Sequence, residues 1–251
     1  MLAIIGGSGL TQLASLQVVR RKTVSTPYGK PSGPLIFGKM QGRAVVFLAR
    51  HGANHTIPPH AINYRANLWL IKQAGVDAVL AVNAVGGIHR AFGAGEIIVP
   101  HQIIDYTWGR ASSFSDDTQL LHVDFSFPFD AAWRARLLAA GRAAGVVHDF
   151  GTYACTQGPR LESAAEIDRL ARDGCDLVGM TAMPEACLAR ELALPYAAVC
   201  LVVNPAAGRG TGVIDHASIG AVIRTGMARV ERLVLDAVVA FQGEAAAFQG
   251  A

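Results

Sequence analysis

Polar side chains that could do chemistry stand in six short segments, each close to a run of apolar residues. The segments are 4–10, 47–60, 81–97, 155–163, 178–189 and 200–208. The glycines of IIGGSGL (4–10) would let backbone amides approach an anion, and Ser8 adds a hydroxyl donor. Arg50 carries a planar guanidinium whose donors match the oxygens of a phosphate. These residue types indicate a site for a small anion.

Each segment also has a purely structural interpretation. Residues 4–10 match neither a dinucleotide-binding fingerprint nor a Walker A loop, so a tight turn also explains them. Arg50 could form a surface ion pair, and Glu162 could stabilise the start of a helix through the helix dipole. His51 and His55 are four residues apart, but the H-E-x-x-H pattern is missing, and we expect no metal site.

The elements that must position these residues alternate between strands and helices. Short β-branched runs predict strands, and apolar residues at helical spacing, followed by glycine, predict helices. Gln41-Gly42, between two strands, predicts a hairpin turn. The predicted strands are 2–5, 34–39, 43–49, 76–82, 96–100 and 196–203, with shorter ones near 150–155 and 176–179. The predicted helices are 61–74, 131–144, 163–173, one that starts at Pro184, and 215–241.

This alternation favours an α/β fold in which the whole chain, 1–251, forms one domain around a largely buried sheet. The sequence shows no repeat, linker or low-complexity run that would divide it. Ligands of open α/β sheets bind beyond the carboxyl ends of the strands, and all six polar segments would lie there. The segments are therefore expected to form one shared site.

Composition excludes several classes of protein. Of 251 residues, 51% are hydrophobic and 16% are charged, which is too apolar for intrinsic disorder. With 22 basic and 19 acidic residues, we expect no nucleic-acid partner. The longest apolar run, 196–203, is far shorter than the ~18–20 residues of a membrane span, and the start of the chain does not resemble a signal peptide. Scattered cysteines predict free thiols and a cytoplasmic protein; they are Cys155, Cys175, Cys187 and Cys200.

Together, the six segments resemble the purine nucleoside phosphorylase and methylthioadenosine phosphorylase family, in its trimeric branch. The resemblance runs over nearly the whole chain, through IIGGSGL, TPYGKPSGPL, LARHGANHTIPPHAINYRANLW, NAVGGI, QGPRLES, MTAMPEACLA and VVNPAAG. It implies a single α/β domain with a mixed central β-sheet flanked by helices, assembled as a homotrimer. It also implies phosphorolysis, in which inorganic phosphate attacks the ribosyl C1′ of a small-molecule nucleoside and releases a purine. No metal or organic cofactor is implied.

Carried over residue by residue, the resemblance assigns a phosphate-binding set and a substrate-binding set. The phosphate set is Ser8, Arg50, His51, the backbone around Asn83 and Ala84, and Thr181. The substrate set is Leu161, Glu162, Met180, Asn204, Ala206, His122 and Ile219. Asn204, Glu162 and His51 would be the catalytic members. Leu161 stands where the family usually places a phenylalanine against the base, which departs from the pattern.

Glu162 and Asn204 decide which purine is expected. Methylthioadenosine enzymes carry serine and aspartate at these positions, whereas glutamate and asparagine resemble enzymes for 6-oxopurines. Hypoxanthine shows N7–H as a donor and O6 as an acceptor, which match the carbonyl and the NH₂ of a carboxamide. Its N1–H would meet the Glu162 carboxylate, whereas the N1 acceptor of adenine would face that carboxylate unpaired. Each buried mismatch costs ~1–3 kcal/mol, so the sequence predicts a 6-oxopurine.

Apolar residues at the start of the last predicted helix would lie at the 5′ end of the ribose. Val213, Ile214 and Ile219 would suit a methylthio group, but at a helix start they could equally belong to the core. Enzymes for free nucleosides tend to have a histidine here, and His216 keeps that alternative open. His122 aligns with a family histidine near the same end, and it could also be an ordinary surface residue.

We therefore expect phosphorolysis of S-methyl-5′-thioinosine to hypoxanthine and 5-methylthioribose 1-phosphate. Within the same class, the alternatives are a methylthioadenosine phosphorylase and a general inosine or guanosine phosphorylase. From other classes, the chain could be a nucleosidase that uses water or a nucleoside-binding module. Neither would need the complete phosphate set, so the presence of Ser8, Arg50, His51 and Thr181 argues against both.

Overall fold

One mixed β-sheet with α-helices packed on it forms the fold, and the computed structural model describes residues 1–143, 145 and 147–241. In this part of the chain, the strands are β1 (Leu2–Gly6), β2 (Gln17–Lys22), β3 (Leu35–Met40), β4 (Arg43–Ala49), β5 (Ala78–Gly87), β6 (Ile97–Ile98), β7 (Gln102–Asp105), β8 (Val147–His148), β9 (Thr152–Cys155), β10 (Leu177–Gly179) and β11 (Tyr196–Pro205). The α-helices are α1 (Tyr64–Gln73), α2 (Ala131–Ala143), α3 (Ala164–Arg172), α4 (Ala182–Glu191) and α5 (His216–Ala240).

The helices begin where the sequence supplies capping side chains. Asn63 caps α1, Asp215 caps α5, and Ser163 forms a capping box with Glu166 at α3. The apolar faces of α1 and α4 join one large buried cluster with the sheet, and those of α2 and α5 join the other. The sheet is therefore covered on both faces, which confirms the predicted α/β fold with a mixed central sheet.

β5 is the central strand, and its pairing changes along its length. One edge pairs with the parallel strand β11 over nearly the whole strand. The other edge pairs with the parallel strand β1 as far as Ala81, and then with the antiparallel strand β10 from Gly86. Among the described strands, residues 82–85 thus have no ladder partner on that edge. We call this gap between β1 and β10 the split.

The ends of four strands meet at the split. β1 is parallel to β4 and to β5, so the residues that follow β1 and β4 lie together on one rim. β10 is parallel to β9, so the residues that follow these two strands lie together on the other rim. β10 reaches the split from the opposite direction, since it is antiparallel to β5. A ligand site is therefore open to residues from both halves of the sheet.

Most of the predicted elements are confirmed, including the hairpin turn, in which Gln41 and Gly42 have φ angles of 47° and 75°. The sequence does not predict β2, β7 or the two-residue strand β8. β2 is an edge strand with mostly exposed side chains, so QVVRRK lacks the alternation of a half-buried strand. The predicted strand 76–82 is too short, because β5 continues to Gly87 beside β11.

Three smaller differences concern element boundaries. The predicted helix 61–74 begins only at Tyr64, after a separate 3₁₀ turn at Pro59–Ala61. The predicted strand 96–100 has two strand residues, Ile97–Ile98, which bridge β11 and β8. The predicted strand 196–203 extends to Pro205. All four cysteines are free, as predicted. Of the helices in the described residues, none has the length and hydrophobicity that a bilayer span requires.

Candidate active site

A cavity of about 330 Å³ opens at the split in the sheet. It brings together residues from all six polar segments. The predicted site residues that line it are Ser8, Arg50, His51, Asn83, Ala84, Leu161, Glu162, Met180, Thr181, Asn204, Ala206 and Ile219. His122 is exposed and does not line this cavity. Within one chain, the structure therefore brings together all residues of the predicted phosphate and substrate sets except His122.

Arg50 follows β4 and is buried, with 1% of its surface exposed. Its Nε and Nη2 each donate at 2.7 Å to the Glu185 carboxylate, and its Nη1 donates at 2.9 Å to the Val82 carbonyl. Val82 lies in the unpaired stretch of β5, so Arg50 supplies the hydrogen bond that a strand would otherwise make. A guanidinium has five N–H groups, and these three contacts leave one on each terminal nitrogen for an anion. Arg50 thus forms a buried ion pair with Glu185, and not the surface ion pair that the sequence also allowed.

Glu185 is a functional candidate that the sequence analysis missed, because Pro184-Glu185 indicated only the start of a helix. It is fully buried and also accepts a hydrogen bond from the Tyr196 hydroxyl at 2.9 Å. Burial alone would lower the pKa of Arg50, but Glu185 outweighs burial and raises that pKa above its usual value. The carboxylate therefore neutralises the buried cation and fixes the plane of its guanidinium.

The turn after β1 passes close to Arg50. A Cβ atom on Gly7 would lie 2.5 Å from the Val82 carbonyl oxygen and 2.8 Å from Arg50 Nη1, so the turn requires glycine here. Ser8 follows, and its hydroxyl lies 3.4 Å from His55 Nε2. His55 also lines the cavity. The sequence analysis considered this residue only as a metal ligand, and it gave His55 no role in a substrate site. The glycine-rich turn is therefore both a tight turn and a wall of the cavity.

The His51 ring is held in one tautomer. Its Nδ1 lies 2.8 Å from the Ile57 carbonyl, which can only accept, so Nδ1 carries the proton and Nε2 keeps a lone pair. The ring also packs on His55, with 4.5 Å between the ring centroids. Burial and then the charge of Arg50 lower the pKa of His51 to about 4. At neutral pH His51 thus offers an acceptor among the donors of the cavity.

Ala84 adds a polar group from the open edge of β5, and Thr181 adds one from the rim that follows β10. Successive residues of a strand turn their backbone N–H and C=O groups to opposite edges, so Ala84, two residues after Val82, shares the open edge of β5 with it. Thr181 precedes α4, and its hydroxyl makes no capping hydrogen bond to that helix. Asn83, between these backbone groups, is almost fully buried. The cavity thus combines a backbone amide, a hydroxyl and a guanidinium around one volume.

Glu162 does not stabilise the start of a helix. Ser163 and Glu166 cap α3, and Arg160 donates twice to Glu166 at 2.8 Å. The Glu162 carboxylate instead accepts a hydrogen bond from the Thr156 hydroxyl at 2.6 Å and lines the cavity. One carboxylate oxygen is held by the protein, and the other is available to a ligand.

Asn204 lies on a bulge of β11, where the register against β5 shifts between Val202 and Asn204. Bulges change the direction in which a side chain points and are common beside active sites. The Asn204 Nδ2 donates at 2.6 Å to the Pro205 carbonyl. Because that carbonyl can only accept, the contact identifies the NH₂ end of the amide. Oδ1 and the second N–H of Asn204 remain for a ligand.

Apolar side chains line another part of the cavity. They come from Ile214, Ile219 and Ile223, around the start of α5. Val213 does not belong to this group, because 96% of its surface is exposed, so the prediction for Val213 is wrong. The side chain of His216 lies outside the described residues. No group of three or more His, Cys, Asp or Glu side chains is placed to hold a metal in the part of the chain that the structure describes.

Comparison with known proteins identifies the family. The family model described as the phosphorylase superfamily matches residues 1–240. The chain belongs to the phosphorylase superfamily. This membership confirms the resemblance seen in the six segments, and the cavity holds the residues that carried it.

Individual members of the superfamily are closely similar to this chain in sequence or in structure. The chain is 58% identical over 232 residues to the "Probable S-methyl-5'-thioinosine phosphorylase" of Pseudomonas syringae pv. tomato, which covers 91% of this chain and 94% of that protein. It is 40% identical over 245 residues to the "Probable 6-oxopurine nucleoside phosphorylase" of Thermococcus kodakarensis, with 94% and 91% covered. The structure of methylthioadenosine phosphorylase from Schistosoma mansoni in complex with adenine matches with a TM-score of 0.90 at 32% identity, covering 95% of this chain and 90% of that one.

Replacing Glu185 by Gln should strongly destabilise the fold. The amide keeps the shape of the side chain but leaves Arg50 buried without a counter-ion, which costs about 3–5 kcal/mol in the free energy of unfolding. Urea unfolding measures this loss. Glu96→Gln is the matched control, since the contact of Glu96 with His148 is partly exposed and should contribute less than about 1 kcal/mol. Equal losses in the two variants would contradict this account of the buried pair.

His51 should make the stability of the fold depend on pH. Its pKa is lowered from 6.5 to about 4, so between these values the unfolded chain binds a proton that the folded chain does not. The free energy of unfolding therefore falls as the pH decreases through this window. We expect His51→Gln to reduce the difference between pH 7 and pH 5 by about 1–2 kcal/mol in urea unfolding. The exposed His122→Gln is the control, and a pH dependence unchanged by His51→Gln would rule out a buried neutral ring.

Proposed function

We propose that this chain catalyses the phosphorolysis of S-methyl-5′-thioinosine to hypoxanthine and 5-methylthioribose 1-phosphate. The observation that carries the proposal is the pair formed by the Glu162 carboxylate and the Asn204 amide, which line the same cavity with free hydrogen-bonding groups. This pair is complementary to the edges of a 6-oxopurine. The printed names of the relatives from Pseudomonas syringae and Thermococcus kodakarensis support the same class of base.

Inorganic phosphate would bind beside Arg50. The two remaining N–H groups of Arg50, the hydroxyls of Ser8 and Thr181 and the amide of Ala84 are donors, as a phosphate requires. Hydrogen phosphate also carries one O–H group. Nε2 of His51 is an acceptor, because Nδ1 donates to a carbonyl, and it would match that O–H. The set thus suits HPO₄²⁻, with one acceptor for its single proton.

In the reaction, a phosphate oxygen forms a bond to the ribosyl C1′ while the bond from C1′ to purine N9 breaks. The electron pair leaves with the purine, and the ribosyl centre becomes cationic in the transition state. Groups already fixed around the phosphate favour this step, because no reorientation is needed as the charges develop. Met180, which lines the cavity next to Thr181, would lie beneath the ribose as a packing residue.

Asn204 would stabilise the departing base without donating a proton: N7 would take up a proton from water as the C1′–N9 bond breaks, and the new phosphate ester would release the proton of HPO₄²⁻ to solvent. Its Oδ1 would accept a hydrogen bond from N7–H of hypoxanthine, and its second N–H would donate a hydrogen bond to O6. Glu162 would accept N1–H through the oxygen that Thr156 does not hold. Leu161 and Ala206 line the same cavity and would complete the base pocket with apolar contacts. Adenine would leave an acceptor facing the carboxylate, which favours the 6-oxopurine over the methylthioadenosine alternative.

The apolar part of the cavity suits the 5′-methylthio group. Ile214, Ile219 and Ile223 offer carbon surface and no hydrogen-bonding group for a free 5′-hydroxyl. A hydroxyl buried there without a partner would cost free energy, whereas a thioether would not. This favours the methylthio substrate over general inosine or guanosine phosphorolysis. A water-using nucleosidase and a nucleoside-binding module remain disfavoured, because neither explains the donor set around Arg50.

We further propose that the whole chain, 1–251, acts as one nucleoside phosphorylase domain in the cytoplasm, without a metal or organic cofactor and without nucleic-acid or membrane partners. A homotrimer is the proposed assembly. The loop that carries His122 exposes Leu120 and Phe127, at 72% and 70% of their surfaces, which another copy could cover. His122 would then meet substrate only in the cavity of a neighbouring copy.

The decisive experiment compares four nucleosides with and without inorganic phosphate. We expect S-methyl-5′-thioinosine to give the highest kcat/KM, above S-methyl-5′-thioadenosine, inosine and guanosine, and we expect product only when phosphate is present. Hypoxanthine release is followed by chromatography. Equal rates without phosphate would mean hydrolysis, and S-methyl-5′-thioadenosine as the best substrate would contradict the roles given to Glu162 and Asn204.

Asn204→Asp should move the preference toward 6-aminopurines. A carboxyl group can accept from both N7–H and the 6-amino group of adenine, but as a carboxylate it repels O6 of hypoxanthine. We expect the ratio of kcat/KM for S-methyl-5′-thioinosine over S-methyl-5′-thioadenosine to fall by roughly tenfold or more. Asn204→Ala is the control, because it removes both interactions and adds no charge. An unchanged ratio in Asn204→Asp would remove Asn204 as the residue that selects the base.

A further inference from the structure

Thr156 lies behind Glu162, directly after β9. Its hydroxyl donates to Glu162 Oε1 at 2.6 Å, and its backbone N–H donates to the Gly179 carbonyl at 2.8 Å. Glu162 lines both the main cavity and a second cavity of about 410 Å³, whereas Thr156 is among the lining residues of the second. Glu162 therefore stands between Thr156 and the volume proposed for the nucleoside.

The Thr156 hydroxyl has two acceptors within reach and one proton. The Gly179 carbonyl lies 3.3 Å away, while Glu162 Oε1 lies 2.6 Å away, so the shorter contact to the carboxylate is the better hydrogen bond. Thr156 is itself held by its backbone bond to the end of β10. The hydroxyl is thus a fixed donor, and it fixes the rotation of the carboxylate that it contacts.

Glu162 needs such an anchor because it lies on a loop between a strand and a helix. Arg160 is the nearest cation along the chain, but both of its terminal nitrogens donate to Glu166. Glu166 is in turn engaged with Ser163 in the capping box. The loop is therefore secured at its helix end by these three residues, and the Glu162 carboxylate itself is secured by Thr156.

We propose that Thr156 is a positioning residue that sets base selectivity through Glu162. It holds Oε1, so that Oε2 faces the N1–H of a 6-oxopurine; this rests on the proposed function. Without the hydroxyl, the carboxylate rotates and is solvated from the second cavity, and its hydrogen bond to N1–H weakens. The unfavourable contact with N1 of a 6-aminopurine is relieved by the same rotation. The weaker binding of the 6-oxopurine and the better tolerance of the 6-aminopurine both lower the selectivity for the 6-oxopurine.

Thr156→Val tests this proposal, because valine has the same shape and no hydroxyl. The readout is the ratio of kcat/KM for S-methyl-5′-thioinosine over S-methyl-5′-thioadenosine at saturating phosphate. We expect the ratio to fall by roughly tenfold, as for the loss of one hydrogen bond to a charged group, while KM for phosphate stays within about twofold. Thr156→Ser keeps the hydroxyl and should restore the ratio to within about threefold of the original protein. Thr152→Val, at the other end of β9, is the matched control and should leave the ratio unchanged.

A double-mutant cycle shows whether Thr156 acts through Glu162. In the Glu162→Gln background, Thr156→Val should not change the ratio further, because its target is already altered. Effects that multiply would overturn the proposal, as would an unchanged ratio in Thr156→Val or a loss in Thr156→Ser as large as in Thr156→Val. If the original protein does not need phosphate or prefers the 6-aminopurine, both the proposed function and the role proposed for Thr156 are wrong. If it prefers the 6-oxopurine and Thr156→Val keeps that preference, only the role of Thr156 fails.

Discussion

Buried backbone groups must be paired, and on one edge of β5 the residues between β1 and β10 face no partner strand in the described part of the chain. Arg50 pairs with Val82 at this position, which brings a cation into the interior. The cation requires Glu185, and the second partner of that carboxylate is Tyr196. A gap in one ladder thus accounts for a chain of buried polar side chains and, at the same time, leaves the space in which a ligand can bind.

The two ends of the cavity are built differently. Around Arg50 the polar groups come from the ends of strands that pair with neighbours on both edges and from the backbone of β5, which β11 holds on one edge. At the other end, Glu162 comes from a loop and Asn204 from a bulge, and each is oriented by a single local hydrogen bond. The proposed phosphate end is therefore rigid through the fold, while the proposed base end is rigid through side-chain contacts.

The sequence was sufficient for the fold class and for most of the lining residues, because strand-end motifs such as IIGGSGL and LARHG are local signals. It was not sufficient for Glu185 or Thr156. Glu185 contacts Arg50, which is 135 positions away in the sequence, and Thr156 contacts Glu162 across a loop. Both contacts form only in the folded chain. β2 was not predicted because its side chains are mostly exposed. An exposed edge strand does not need the alternation of apolar and polar residues by which a half-buried strand is recognised.

The bulge in β11 has a consequence for how this protein can diverge. Side chains of a regular strand alternate between faces, so deleting one residue just before Asn204 would move Asn204 to the place that Val203 now occupies and Pro205 to the place of Asn204. A proline, which has no side-chain amide, would then stand at the polar end of the cavity, and the carboxamide would be moved to the position of Val203, which belongs to a buried apolar cluster. The polar end of the cavity is therefore compatible with replacement of side chains in β11, but not with a change in the length of that strand.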